Sequence, residues 1–132
     1  MSVLAVRVYY EDTDAGGVVY HANHIKYFER ARTEWLRELG YDQDTLMEQD
    51  LCFVVRSLTI DYKLPARFNQ MLNVTTRIDT MKRASMVFEQ TITNAAQQVI
   101  AHGMVTVACV TLSSMKATAI PETLKEDLLG AL

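Results

Sequence analysis

Residues 9–40, YYEDTDAGGVVYHANHIKYFERARTEWLRELG, change periodicity part-way along, and that change decides the fold. Before the stretch and into it, the chain alternates. Leu4, Val6, Val8 and Tyr10 share one face and Ala5, Arg7 and Tyr9 the other, the period of two that marks a strand over residues 3–11. Glu11 to Val18 then carries three carboxylates, Glu11, Asp12 and Asp14, beside the pair Gly16–Gly17, which reads as a turn. From His21 to Leu39 the period becomes 3.6. At about 100° per residue, Ile25, Phe28, Trp35 and Leu39 lie within about 40° of one line, with Leu36 beside them. Asn23, Lys26, Arg30, Thr33 and Arg37 lie opposite, and Gly40 is the expected C-terminal stop. A helix starting near Tyr20–His21 is roughly 27 Å long, enough to form the spine of a domain.

Strand, glycine turn and helix in this order place the Asp14 carboxylate beside the outward-pointing N–H groups of a helix start. Acyl-transfer chemistry needs that pair: a base or nucleophile, and donors for a developing oxyanion. Gly17 lets backbone approach a ligand closely. Taken alone, the acidic turn also suits a solvated loop or a helix cap; its position at the start of the central helix favours a site. One residue breaks the apolar stripe. Arg32 sits in the middle of it and calls for a carboxylate, with Glu29 the local candidate and Asp14 or Asp61 the distant ones, unless it snorkels to water past the sheet edge.

Further along, Asp42 to Gln49 reads as a short helical turn capped by Asp42. Strands follow at Leu51–Tyr62, Met71–Thr80, Ser85–Thr93 and Val99–Leu112, with Pro65 and Asn69 as punctuation. Short links between successive strands favour antiparallel hairpins. Pro121 to Leu132 reads as a short amphipathic helix or a frayed end. The order β-α-β-β-β-β predicts an α+β fold over a single domain, residues 1–132, with about five antiparallel strands curled around one long helix. Open sheet edges make a dimer or larger assembly the expectation.

Composition narrows the function. The chain has 132 residues, 49% hydrophobic and 22% charged, with a net charge of −3, which argues against a general binder of nucleic acid or anionic membranes. Cys52 and Cys109 are isolated, without metal or redox spacing, and fit a reducing cytoplasmic setting. No apolar run approaches the roughly 18 residues of a spanning helix, and the N-terminus reads as strand rather than signal peptide. His21 and His24, with Glu29 beyond, lack a third strong ligand at zinc spacing, so neither metal nor other cofactor is expected. His102 reads as a hydrogen-bonded sheet residue. No Gly-x-Ser-x-Gly elbow and no phosphate loop is present. Arg56, Lys63, Arg67, Lys82 and Arg83 fall near strand ends as surface charges; if the substrate carries a nucleotide handle, Arg67, Lys82 and Arg83 are the candidate phosphate contacts.

The string Tyr9 to Asn23, with Tyr27-Phe28-Glu29-Arg30-Ala31-Arg32 after it, resembles the signature of hotdog-fold acyl-CoA thioesterases of the 4-hydroxybenzoyl-CoA thioesterase family. The nearer resemblance is to the YbgC-type branch associated with the bacterial Tol-Pal system. It covers nearly the whole chain. It implies a sheet wrapped around a central helix, a homodimer or homotetramer with sites at subunit interfaces, and hydrolysis of acyl-CoA, a part of lipid metabolism. It also implies Asp14 as the catalytic carboxylate and the His21 amide as the donor to the thioester carbonyl, with Tyr20 and Glu29 near the substrate. His24 stands where relatives commonly carry an aromatic such as Tyr. Two other classes remain open: a hotdog dehydratase acting on acyl thioesters, and a non-catalytic partner of acyl carrier protein or of the envelope.

Overall fold

The computed structural model describes residues 1–130. In chain order it contains β1 (Ser2–Arg7), one 3-10 turn (Tyr10–Asp12), α1 (Asn23–Glu38), α2 (Gln43–Glu48), β2 (Leu51–Tyr62), β3 (Met71–Met81), β4 (Ser85–Thr93), β5 (Val99–Thr111) and α3 (Glu122–Gly130). The strands form a single antiparallel sheet in the order β1-β3-β4-β5-β2. One face of this sheet holds the core. Trp35, Tyr27 and Phe28 of α1 are buried there against Leu72, Phe88, Ile92 and Val105, and Leu124 and Leu128 of α3 close the same cluster. This is the wrapped-helix arrangement of a hotdog fold. No helix among the described residues is long and apolar enough to cross a membrane.

Sheet and helix lie close at Gly103 of β5, where a Cβ atom would stand 2.5 Å from Phe28 Cε2. Glycine here lets α1 settle onto the strands. β2 carries a bulge between Val55 and Ser57. Because of that extra residue, Phe53 and Val55 before it and Leu58 and Ile60 after it share the inner face, as their β5 partners Cys109, Val107, Val105 and Gly103 show.

Four expectations change. β1 ends at Arg7, paired with Met71 at the start of β3, and the Asp12 carboxylate accepts from Tyr9 N and turns the chain away, leaving Tyr10 80% exposed rather than facing the core. The helix begins at Asn23, not at Tyr20–His21, because Asn23 N closes a preceding turn onto Tyr20 O (2.8 Å). Within it, Asn23 is buried and Ile25 is exposed, the reverse of the stripe assignment, since the first helical turn faces the preceding loop rather than the sheet. Finally, β2 and β3 do not form a hairpin. β2 pairs with β5, so residues 63–70 cross from one edge of the sheet towards the other. That crossing is stitched to the acidic turn by Val19 N on Ala66 O (2.8 Å) and to β1 by Asn69 N on Val8 O (2.9 Å).

Candidate active site

The acidic turn is a narrow ribbon. Thr13 pairs with Val19, Asp14 N donates to Val18 O (2.9 Å), and Gly17 N donates to Asp14 O (3.0 Å). Gly17 has φ +79°, a left-handed conformation that disfavours a side chain. Asp14 stands at the exposed tip, where its Oδ1 accepts from Gly16 N (2.8 Å). His21 lies beyond the ribbon's base, in the turn that leads into α1.

Asp12 holds the base. Its Oδ1 accepts from Asn23 Nδ2 (3.0 Å), and its Oδ2 from Tyr27 Oη (2.9 Å) and Tyr9 N (2.8 Å). Burial and the Asp12 carboxylate together push the Tyr27 phenol well above its usual range, so it stays a donor. Of the three clustered acids, this one ties the ribbon to the helix.

At the helix start the His21 carbonyl accepts from Tyr62 Oη (2.7 Å) and from His24 Nδ1 (3.1 Å). A carbonyl oxygen only accepts, which assigns the proton of neutral His24 to Nδ1. Burial lowers the His24 pKa and favours that neutral form. The Tyr62 ring stands edge-on to His24 at 4.9 Å. These contacts hold the peptide between His21 and Ala22 in place. The His21 and Ala22 amides donate to no protein acceptor among the described residues, and they lie at the positive end of the α1 dipole. A cleft of about 250 Å³ opens beside them, lined by Val19, His21, His24, Tyr62, Lys63, Leu64 and Pro65.

The expected site residues therefore separate. His21 lines the cleft, and Tyr20 lies against its ring at 4.4 Å. Asp14 and Gly17 remain at the ribbon tip, outside the lining. Glu29 borders a different cavity further along α1, together with Arg32. Arg32 is buried, and its partner is the Gln90 amide (Nη1 to Oε1, 2.9 Å) rather than any carboxylate. Arg67 pairs with Val18 beside the ribbon, whereas Lys82 and Arg83 form the β3–β4 turn. Those two ends of β3 are on the order of 35 Å apart at the usual strand rise, so the three cations do not converge within one chain. From sequence, Lys63 reads only as a surface charge, and Tyr62 and Ala22 carry no role. Tyr62 closes the far end of a strand that only the fold brings to the helix start.

Residues 8–128 match the family model of the thioesterase-like superfamily. The chain belongs to that superfamily. A thioesterase-like relative from Escherichia coli O6:H1, named acyl-CoA thioester hydrolase YbgC, is 48% identical over 119 residues, 90% of this chain and 89% of its own length. Another from Haemophilus influenzae, named acyl-CoA thioesterase YbgC, is 50% identical over 121 residues, 91% of this chain and 88% of its own. Among solved structures, a probable thioesterase from Bartonella henselae superposes with a TM-score of 0.86 at 34% identity, covering 91% of this chain and 98% of that one. In a thioesterase-like domain, bare amides at a helix start are suited to the oxygen of a carbonyl under attack.

Proposed function

We propose that this protein hydrolyses the thioester bond of acyl-CoA to a free acid and CoA. The observation that carries the reading is the helix start: His21 lines a cleft in a thioesterase-like chain, and its amide and the adjacent Ala22 amide donate to no protein acceptor among the described residues. The carbonyl oxygen of the thioester is bound there, and the charge that develops on it is stabilised by preorganised N–H groups and the α1 dipole. Asp14 supplies the attack. Either its carboxylate bonds to the carbonyl carbon, CoA leaves as thiolate, and water opens the resulting anhydride; or it takes a proton from the water that bonds to that carbon, and the tetrahedral intermediate then breaks its C–S bond to release CoA as thiolate. Asp14 lies outside the cleft lining of its own chain, so the thioester reaches from the amides towards the ribbon tip or a second copy closes the gap. Lys63 at the cleft and Arg67 beside the ribbon are placed for the CoA phosphates; Lys82 and Arg83 serve only from a neighbouring copy. A homodimer or homotetramer is supported by the unpaired outer edges of β1 and β2. Acyl carrier protein is a second thioester donor compatible with so open a cleft. The free thiols Cys52 and Cys109 fit a cytoplasmic setting.

Free-thiol release from a panel of short, long and aromatic acyl-CoAs tests the reading. Wild type is expected to release CoA, and Asp14→Asn to lose about 10²–10⁴ in kcat with circular dichroism unchanged. Near-normal turnover by that variant removes Asp14 from the mechanism, and no thiol from any substrate removes hydrolysis. Single turnover in heavy-oxygen water separates the two routes, because only the anhydride route leaves the label in Asp14.

A further inference from the structure

A second cavity, of about 210 Å³, lies between α1 and the inner face of the sheet. Its sheet side is apolar, from Phe53 and Val55 of β2, Met86 and Phe88 of β4 and Val107 of β5, while its helix side is mostly polar, with Glu29, Thr33 and Gln43 beside Leu36. Arg32 lines it too, only 9% exposed. A guanidinium carries five N–H donors, and a single hydrogen bond, to Gln90 Oε1, is made by Arg32 among the described residues. Gln90 is neutral and fully engaged, since its Nε2 donates to Phe28 O and Thr76 Oγ1. The ion pairs among the described residues join Arg37 to Glu34 and Arg77 to Glu89, which is also hydrogen-bonded to His102; none includes Arg32. Among the described residues no wholly buried side-chain nitrogen lacks a partner, so the remaining Arg32 donors reach open space, and the cavity is the open space they border.

The cavity and the helix-start cleft share no lining residue, but both lie along α1 and β2. α1 and β2 run in opposite directions, with His24 beside Tyr62 at the cleft and Arg32 near Phe53 and Val55 at the cavity. Arg32 stands about 12 Å beyond His24 along the helix. Between them lie Ile25, 36% exposed on α1, and the half-buried Leu58 and Ile60 on the inner face of β2.

We propose that this cavity receives the far end of an acyl group terminating in a carboxylate, with Arg32 as its ionic partner. The inference rests on the reading that the thioester is held at the His21 and Ala22 amides. A methyl-ended chain covers the apolar sheet side but leaves a buried cation with no hydrogen-bonded counter-charge. A neutral hydroxyl offers an acceptor but no charge. A carboxylate supplies both and matches the guanidinium with two parallel hydrogen bonds. Glu29 is the other charged residue in the lining, exposed at the rim and not bonded to Arg32, so its opposing field is screened by water. Burial lowers the Arg32 pKa and the Glu29 charge raises it, yet a guanidinium stays protonated in proteins.

The test compares dicarboxylyl-CoAs from adipyl to sebacyl, each against the methyl-ended acyl-CoA of equal carbon number. At the best length, wild type should favour the carboxylate-ended member at least tenfold in kcat/KM. Arg32→Met should erase that preference while changing the methyl-ended partner far less, Arg32→Lys should restore part of it, and Glu29→Gln should raise it. Val55→Trp, on the exposed edge strand, fills the cavity without replacing Arg32 and gives a second route should Arg32→Met fail to fold; it too should erase the preference. A ratio near one at every length, or equal losses on both substrates, overturns the proposal. If no substrate releases thiol, hydrolysis itself fails, and thermal shift still decides the cavity. Octanoate but not octanol should then raise the Tm of wild type, and the shift should vanish in Val55→Trp; equal shifts would reject the ionic site.

Discussion

At Asp12 three donors converge on one carboxylate, while two residues later Asp14 makes a single bond within its own turn and faces outward. Composition treats them alike; only the partners Asn23 and Tyr27 distinguish them, and those are brought in by the helix. Asp12→Ala should therefore cost stability, about 1.5–3 kcal/mol for hydrogen bonds to a charged acceptor, read as a fall in the urea midpoint. Asp14→Asn should leave that midpoint near wild type. His24 carries a pH signature. Its folded pKa lies below the ordinary 6.5, so the unfolded chain takes up the proton first. The stability it contributes is complete above the unfolded value and is lost as pH falls through the folded one. Comparing wild type with His24→Asn, which keeps a donor for the His21 carbonyl, the gap in urea midpoints should narrow as pH drops from about 7 to about 5. A constant gap would deny His24 that contribution. Arg32 shows where sequence reasoning stops: burial of a cation on the apolar stripe was legible, but its neutral partner Gln90 comes from a strand 58 residues away.

Among the elements, α1 was the easiest to read and its start the hardest. The 3.6 period of Phe28, Trp35 and Leu36 marks a helix because those side chains must share one face. Its first turn is set instead by Tyr20 O and the Asp12 carboxylate, which periodicity does not report. The same contacts turn Asn23 inward and leave Ile25 exposed. Gly103 is the test of how closely this helix must lie. Gly103→Ala forces Phe28 away from β5 and should cost about 1–3 kcal/mol by overpacking, together with a rise in KM if the helix start shifts with it. An unchanged Tm would mean that Phe28 relaxes freely.

For the molecule as a whole, strand content was legible from alternation, and strand order was not. Short links at Lys82–Ala84 and around Asn94–Gln98 do make hairpins, β3 with β4 and β4 with β5. Nothing local in residues 63–70 says that they cross the sheet, because the pairing of β2 with β5 is settled by which apolar faces can cover α1 together. Both outer strands keep an unpaired edge, so sedimentation at assay concentration is expected to give a multiple of the 15.0 kDa chain mass; a lone 15.0 kDa species with full activity would show that one chain suffices. The crossing also orders events during synthesis. The ribbon, the helix start and β2 all leave the ribosome well before β5, the strand on which β2 must pair. Until β5 has emerged, β2 has no strand to pair with and the inner cavity lacks its Val107 wall, so the most aggregation-exposed moment falls just before that strand arrives.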